Sequence, residues 1–140
     1  VIIANATLLA GHVEICDRAN ISGHCVIHQF VRIGRLAMIG GMSRIRSDIP
    51  PFVTADGYTS EIRGLNTVGL KRAGISTEVR RILKTVLMEM RESDRLITEI
   101  LDSADKESSP PEVTEFLDFY RQSKRGVVRF IRRADSEDKD

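Results

Sequence analysis

The sequence predicts a left-handed parallel β-helix over residues 1–51, followed by a connecting stretch and a small α-helical domain over residues 73–133. Three observations carry this prediction. A hydrophobic repeat of period six holds its phase from Ile3 to Ile49, Pro50-Pro51 stops it, and helical periodicity takes over after Ser76.

The repeat sets the first element. Branched apolar residues stand at Ile3, Leu9, Ile15, Ile21, Ile27, Ile33, Ile39 and Ile45. Four places after each comes a small or apolar residue: Thr7, Val13, Ala19, Cys25, Val31, Ala37, Ser43 and Ile49. The place directly after each anchor is often small too, as at Ala4, Ala10, Cys16, Ser22, Gly34 and Gly40. A helix needs a period near 3.6 and a flat strand a period of 2. Period six suits neither, but it suits a chain that turns a corner every six residues. Three such sides close a triangular coil, with the anchor pointing inward and the small residue fitting a tight corner. Stacked coils then pair in parallel, and the interior becomes a column of Ile and Leu. Solenoids with this hexad code wind left-handed, an exception to the right-handed crossover rule. An ordinary sandwich of alternating strands does not account for eight successive matches in one phase.

Two prolines at 50 and 51 remove ladder donors and fix φ, so the coil ends there. Residues 52–72, with Gly57, Gly64 and Gly69 among mixed polarity, read as an irregular connecting loop with a short strand. Ser76 then suits an N-cap, with Glu78 in the first turn. Val79, Ile82, Leu83, Val86, Leu87 and Met90 mark one helical face. Leu96, Ile97, Ile100 and Leu101 continue into a second, short helix. Ser109-Pro110-Pro111-Glu112 reads as a capping box with proline at the first helical position. Val113, Phe116, Leu117 and Tyr120 supply the buried face of that helix, and Gly126 its C-cap. The last residues, 134–140, read as a disordered tail.

Composition narrows the function. With 21 basic and 20 acidic residues, no global charge favours nucleic acid. No apolar run reaches membrane-spanning length, and residues 1–14 lack the basic leader and cleavage site of a secretion signal. Cys16 and Cys25 form neither a metal motif nor a disulfide framework, and suit a reducing cytoplasm.

Four stretches are more specific: LLAGHVEI, VIHQFVRIGRLAMIGGMS, DIPPFVTADG and GLNTVGLKRAGIS. With STEVRRI and a late SKRG, they give the chain a resemblance to the C-terminal half of the UDP-N-acetylglucosamine acyltransferases of lipid A synthesis. The resemblance implies a homotrimer with active sites in clefts between neighbouring β-helices. It implies transfer of an R-3-hydroxyacyl group from acyl carrier protein to the 3-hydroxyl of UDP-N-acetylglucosamine, without metal or organic cofactor. A histidine general base and a backbone-amide oxyanion donor belong to that picture.

By the same resemblance His12, His28, Gln29, Asn66 and Arg72 are substrate-binding candidates. Arginine suits a diphosphate because its fork binds two oxygens. Val68 and Ala73 depart from the family pattern, where an acidic residue and a second arginine usually stand. Gly41 matches the acyl-chain ruler, where glycine admits a longer chain. The basic cluster Arg80, Arg81 and Lys84 is the candidate docking surface for the acidic carrier protein. His24 has no family counterpart. The His24–His28 spacing differs from the five-residue pair of hexapeptide carbonic anhydrases, so no metal site is expected.

Counting back from AGH, the family's catalytic histidine falls about one coil earlier, before Val1. There is no initiating methionine, and the repeat runs uncapped into the first residues. The expectation is therefore a C-terminal portion that trimerises but does not by itself transfer acyl groups at the family's rate. A related N-acyltransferase and a non-catalytic trimerising module remain the alternatives.

Overall fold

Each hexad folds as a two-residue strand followed by a corner. The computed structural model describes residues 1–92, 99 and 109–132. Eight short strands occupy the repeat: β1 (Ile2–Ile3), β2 (Leu8–Leu9), β3 (Glu14–Ile15), β4 (Asn20–Ile21), β5 (Val26–Ile27), β6 (Arg32–Ile33), β7 (Met38–Ile39) and β8 (Arg44–Ile45). They stack in parallel one coil apart, giving three faces: β1-β4-β7, β2-β5-β8 and β3-β6. Register is fixed by the anchors, since Ile3 pairs with Ile21, Leu9 with Ile27 and Ile15 with Ile33. The result is a β-solenoid of nearly three coils, the predicted architecture.

The anchor column is the core. Ile21, Ile27, Ile33, Ile39, Ile45 and Ile49 are all buried, with Phe52 closing the column. Ile3 and Leu9, the same letters of the code in the first coil, are each 43% exposed. Burial of an aliphatic side chain contributes about 1.5–3 kcal/mol, so the column is held most firmly from the second coil onward.

The corners take small residues as expected: Ala19, Cys25, Val31, Ala37 and Ser43 are buried, and Ala19, Val31 and Ala37 close their turns by donating to Cys16 O (3.3 Å), His28 O (3.3 Å) and Gly34 O (3.2 Å). The turn falls to the residue three places after each anchor. Ala6, His12, Arg18, His24, Phe30, Leu36 and Met42 all have φ between 57° and 67°. Left-handed backbone costs a non-glycine residue about 1–2 kcal/mol. Stacking offsets that cost, because each corner bonds to the one below: His24 N–H to Asn5 O (3.0 Å), Phe30 N–H to Gly11 O (3.1 Å), Leu36 N–H to Asp17 O (3.1 Å).

Residues 52–72 are also more ordered than a loop. β9 (Val53–Asp56) extends the first face in parallel beyond β7, and β10 (Glu61–Leu65) returns antiparallel to it. Val53 and Ala55 are buried while Thr54 and Asp56 are half-buried, the alternation of a one-sided strand. A six-residue helix α1 (Thr67–Arg72) follows. Asn66 caps it: its Oδ1 accepts from Gly69 N–H (3.1 Å), while its Nδ2 donates to Leu36 O (2.8 Å) on a β-helix corner.

Helix α2 (Thr77–Glu92) begins as predicted, Ser76 Oγ accepting from Val79 N–H (3.2 Å), and buries Leu83, Leu87 and Met90. Helix α3 (Pro111–Gln122) buries Val113, Phe116, Leu117 and Phe119. Its caps correct the expectation. Pro110 is the N-cap and has no hydroxyl, so no capping box forms; its carbonyl accepts from Val113 and Thr114 N–H instead. The C-cap is Ser123, in extended backbone, while Gly126 (φ 90°) turns the chain three residues later. Helix α3 is tied to the solenoid by Arg35, which donates to both carboxylate oxygens of Glu115, and by Arg32, whose guanidinium lies 4.8 Å over the Phe119 ring. The predicted short helix at Leu96–Leu101 and the tail at 134–140 lie outside the described residues.

Candidate functional site

The hexad code distributes the candidate side chains over different corners. One corner stacks Asn5–Ala6, Gly23–His24 and Gly41–Met42, and carries Gly41. A second stacks Gly11–His12 and Gln29–Phe30, with His28 closing the face that leads into it. A third stacks Asp17–Arg18 and Arg35–Leu36, and to it Asn66 ties α1 with Arg72 at its end. Arg80, Arg81 and Lys84 lie on α2. One protomer therefore brings His12, His28 and Gln29 together, and keeps Gly41 and the Asn66–Arg72 helix on other corners.

The second corner has the densest chemistry. His12 stacks on Phe30 one coil later, ring centroids 5.1 Å apart and 7° from parallel. Phe30 stays 57% exposed despite that contact. Gly11 leaves room for the Gln29 amide, whose Nε2 would lie 3.3 Å from a Cβ there. Glu14 and Arg32 pair along the adjoining face at 3.4 Å.

Where the third coil should continue this corner, the C-terminal segment takes over. Asp48 N–H bonds to Gly126 O (2.9 Å), not to the Gln29 carbonyl beneath it. The orphaned Gln29 carbonyl instead accepts from the Arg125 guanidinium, which also donates twice to Arg46 O (3.1 and 2.9 Å). The Asp48 carboxylate, 1% exposed, accepts from Arg32 N–H (2.8 Å) and from the Ser123 hydroxyl (2.7 Å). These contacts enclose a cleft of about 800 Å³ between the second corner and residues 122–125. Sequence reading missed Asp48, Ser123 and Arg125. Asp48 opens the DIPPFVTADG stretch, and Ser123 and Arg125 lie in the late SKRG; these stretches were their only signal.

Other candidates stand apart from this cleft. The Asn66 amide uses one donor and one acceptor within its own chain, so its first visible role is to orient α1. Arg80 donates to Ile75 O (2.7 Å) and Thr77 Oγ1 (3.1 Å), bracing the start of α2, while Arg81 and Lys84 are exposed. His24 and His28 sit on different corners. Among the described residues no group of three His, Cys, Asp or Glu side chains is arranged to hold a metal. No helix among them is long and apolar enough to cross a membrane.

Comparison with known proteins agrees with this geometry. Residues 48–128, more than half of the chain, match the family model described as UDP N-acetylglucosamine O-acyltransferase, domain 2. The chain is 45% identical over 123 residues to the acyl-[acyl-carrier-protein]–UDP-N-acetylglucosamine O-acyltransferase of Gloeothece citriformis, covering 88% of this chain and 45% of that protein. It is 44% identical over 133 residues to the enzyme of the same name from a Synechocystis species, covering 91% and 48%. The solved UDP-N-acetylglucosamine acyltransferase of Bacteroides fragilis superposes with a TM-score of 0.85 at 33% identity, over 91% of this chain and 50% of that one. The Arabidopsis enzyme gives 0.82 at 35% identity, over 91% and 48%. The chain thus spans about half the length of the curated relatives it matches. With a hexad solenoid, its helical extension and a family match across their junction, the chain belongs to the UDP-N-acetylglucosamine O-acyltransferase family.

Proposed function

We propose that this chain, assembled as a homotrimer in the cytoplasm, takes part in transfer of an R-3-hydroxyacyl group from acyl carrier protein to the 3-hydroxyl of UDP-N-acetylglucosamine. One observation carries the reading: a family match over residues 48–128 in a chain whose candidate residues sit on separate corners. In a threefold assembly the second corner of one copy faces another corner of its neighbour, and a cleft between copies gathers what one copy separates. His12, His28 and Gln29 then meet Asn66 and Arg72, or Gly41, across an interface.

In the reaction the sugar hydroxyl oxygen attacks the thioester carbonyl. The new C–O bond forms, the C–S bond breaks, and the hydroxyl proton passes through a base to the departing sulfur. A backbone N–H stabilises the oxyanion. No residue of 1–140 matches the family's general base. His12 is poorly built for that role, because a base histidine needs a partner that fixes its tautomer. It makes no hydrogen bond among the described residues, and the nearby Glu14 is engaged by Arg32. His12 accordingly binds substrate, and the 140-residue chain by itself transfers slowly. The same observation favours, as the second reading, a trimerising unit without turnover of its own.

Arg81 and Lys84 supply exposed charge for the acidic carrier protein, and Arg80 adds charge from a braced position. The test is an assay of the purified chain with acylated carrier protein and UDP-N-acetylglucosamine, beside direct titration with the sugar nucleotide. The reading expects nucleotide binding with slow turnover. Absence of nucleotide binding contradicts it, and fast turnover abolished by His12→Ala overturns the assignment of His12.

A further inference from the structure

We propose that the cleft between the second corner and residues 122–125 is a subsite for an organic phosphate ester, held by Lys124 and Arg125 against the Phe30 wall. The cleft is lined by His12, Phe30, Arg32, Asp48, Lys124 and Arg125, among others. Its charges are unevenly matched. Arg32 is paired with Glu14, and the Asp48 carboxylate is buried and bonded to Arg32 N–H and the Ser123 hydroxyl. Lys124 makes no hydrogen bond or ion pair among the described residues. Among the described residues Arg125 bonds only to backbone carbonyls, at Gln29 and Arg46, and to no carboxylate.

Two of the five guanidinium N–H groups therefore remain available on Arg125, in a position fixed by the other three. A fixed fork beside an exposed ammonium is a donor set suited to phosphate. The exposed face of Phe30, backed by the His12 ring, adds an apolar wall for whatever carries the phosphate. A nucleic acid fits poorly, because the cleft is small and the chain as a whole is nearly neutral.

The inference deepens the acyl-transfer reading and rests on it for two phosphate carriers: the sugar nucleotide, or the phosphopantetheine arm of the donor. Calorimetric titration of the whole chain with 4′-phosphopantetheine, phosphate-free pantetheine and UDP-N-acetylglucosamine separates them. Lys124→Gln is exposed and breaks no contact, and Arg18→Gln on the third corner is the charge-matched control. Lys124→Gln is expected to weaken one phosphate ligand about fivefold, as one exposed charged contact allows. The effect shrinks as salt rises from about 50 to about 300 mM. Loss for phosphopantetheine assigns the subsite to the donor arm, loss for the nucleotide assigns it to the acceptor, and loss for both supports a shared phosphate position. Binding of UDP-N-acetylglucosamine unchanged by Lys124→Gln, with phosphopantetheine equally unaffected, overturns the subsite and leaves the acyl-transfer reading standing. A wild-type chain that binds neither ligand overturns both, and equal losses in the Arg18→Gln control overturn the subsite as a local feature.

Discussion

Replacing Asp48 with Ala removes the bolt between solenoid and C-terminal segment. The Asp48 carboxylate accepts two hydrogen bonds, 2.8 Å from Arg32 N–H and 2.7 Å from the Ser123 hydroxyl, in a site closed to water. A hydrogen bond to a charged group contributes about 1.5–3 kcal/mol, and its loss leaves the Arg32 N–H buried without a partner. Relief from burying the carboxylate charge offsets part of that loss, so Asp48→Ala is expected to cost about 3 kcal/mol. Asp48→Asn keeps an acceptor for Arg32 and is expected to cost about half as much. Ser123→Ala removes one bond and costs about 1–1.5 kcal/mol; in the double variant that cost disappears, because Asp48 is already gone. Urea denaturation at fixed protein concentration, with the four proteins compared, reads the cycle. Additive costs, or an Asp48→Ala loss below about 1 kcal/mol, refute the reasoning that this carboxylate joins the two parts.

Three other perturbations follow from the same packing. Gly34→Ala drives a Cβ to 2.3 Å from the Pro51 nitrogen, a backbone atom with nowhere to go, and a thermal midpoint equal to wild type would contradict this close approach. Among the described residues the buried Tyr120 hydroxyl has no hydrogen-bond partner, and burial raises its pKa; Tyr120→Phe is therefore neutral or stabilising by up to about 1 kcal/mol. The sign at high pH is fixed too: the unfolded phenol ionises near pH 10 before the folded one, so stability falls above about pH 10 and Tyr120→Phe removes that share of the fall. Gly41→Met fills an exposed corner beside Met42, and under the proposed acyl-transfer reading it is expected to shift donor preference toward shorter acyl chains; an unchanged preference refutes the ruler assignment.

The solenoid was legible because every sixth anchor enters one column, and burial acts on all of them alike. The corner conformation was not. Left-handed backbone usually announces itself by glycine or asparagine, yet His12, Arg18, Phe30 and Leu36 take it here because stacked hydrogen bonds enforce it. The β9–β10 hairpin was hidden behind Pro50-Pro51, although Val53-Thr54-Ala55-Asp56 carries the period of a one-sided strand. Helix α1 was hidden by Gly69, which belongs there because a Cβ would lie 2.3 Å from the Asn66 amide nitrogen. His12, His28 and Gln29 entered as candidates through their motifs, and the structure sets them at one corner. Asp48, Ser123 and Arg125 escaped because their contacts span 75 to 96 residues, and no local period encodes such pairings.

The central claim is that a nucleotide site forms between copies, from the second corner of one and α1 of the next. Mixing two binding-deficient variants tests it most directly. Gln29→Ala spoils the corner, Arg72→Ala spoils α1, and each homo-oligomer is expected to bind UDP-N-acetylglucosamine weakly. Co-refolded in equal amounts, they are predicted to recover wild-type affinity at about a quarter of the interfaces, where intact Gln29 meets intact Arg72. Titration of the mixture with no recovered high-affinity fraction, although subunits have exchanged, would contradict a site shared between copies.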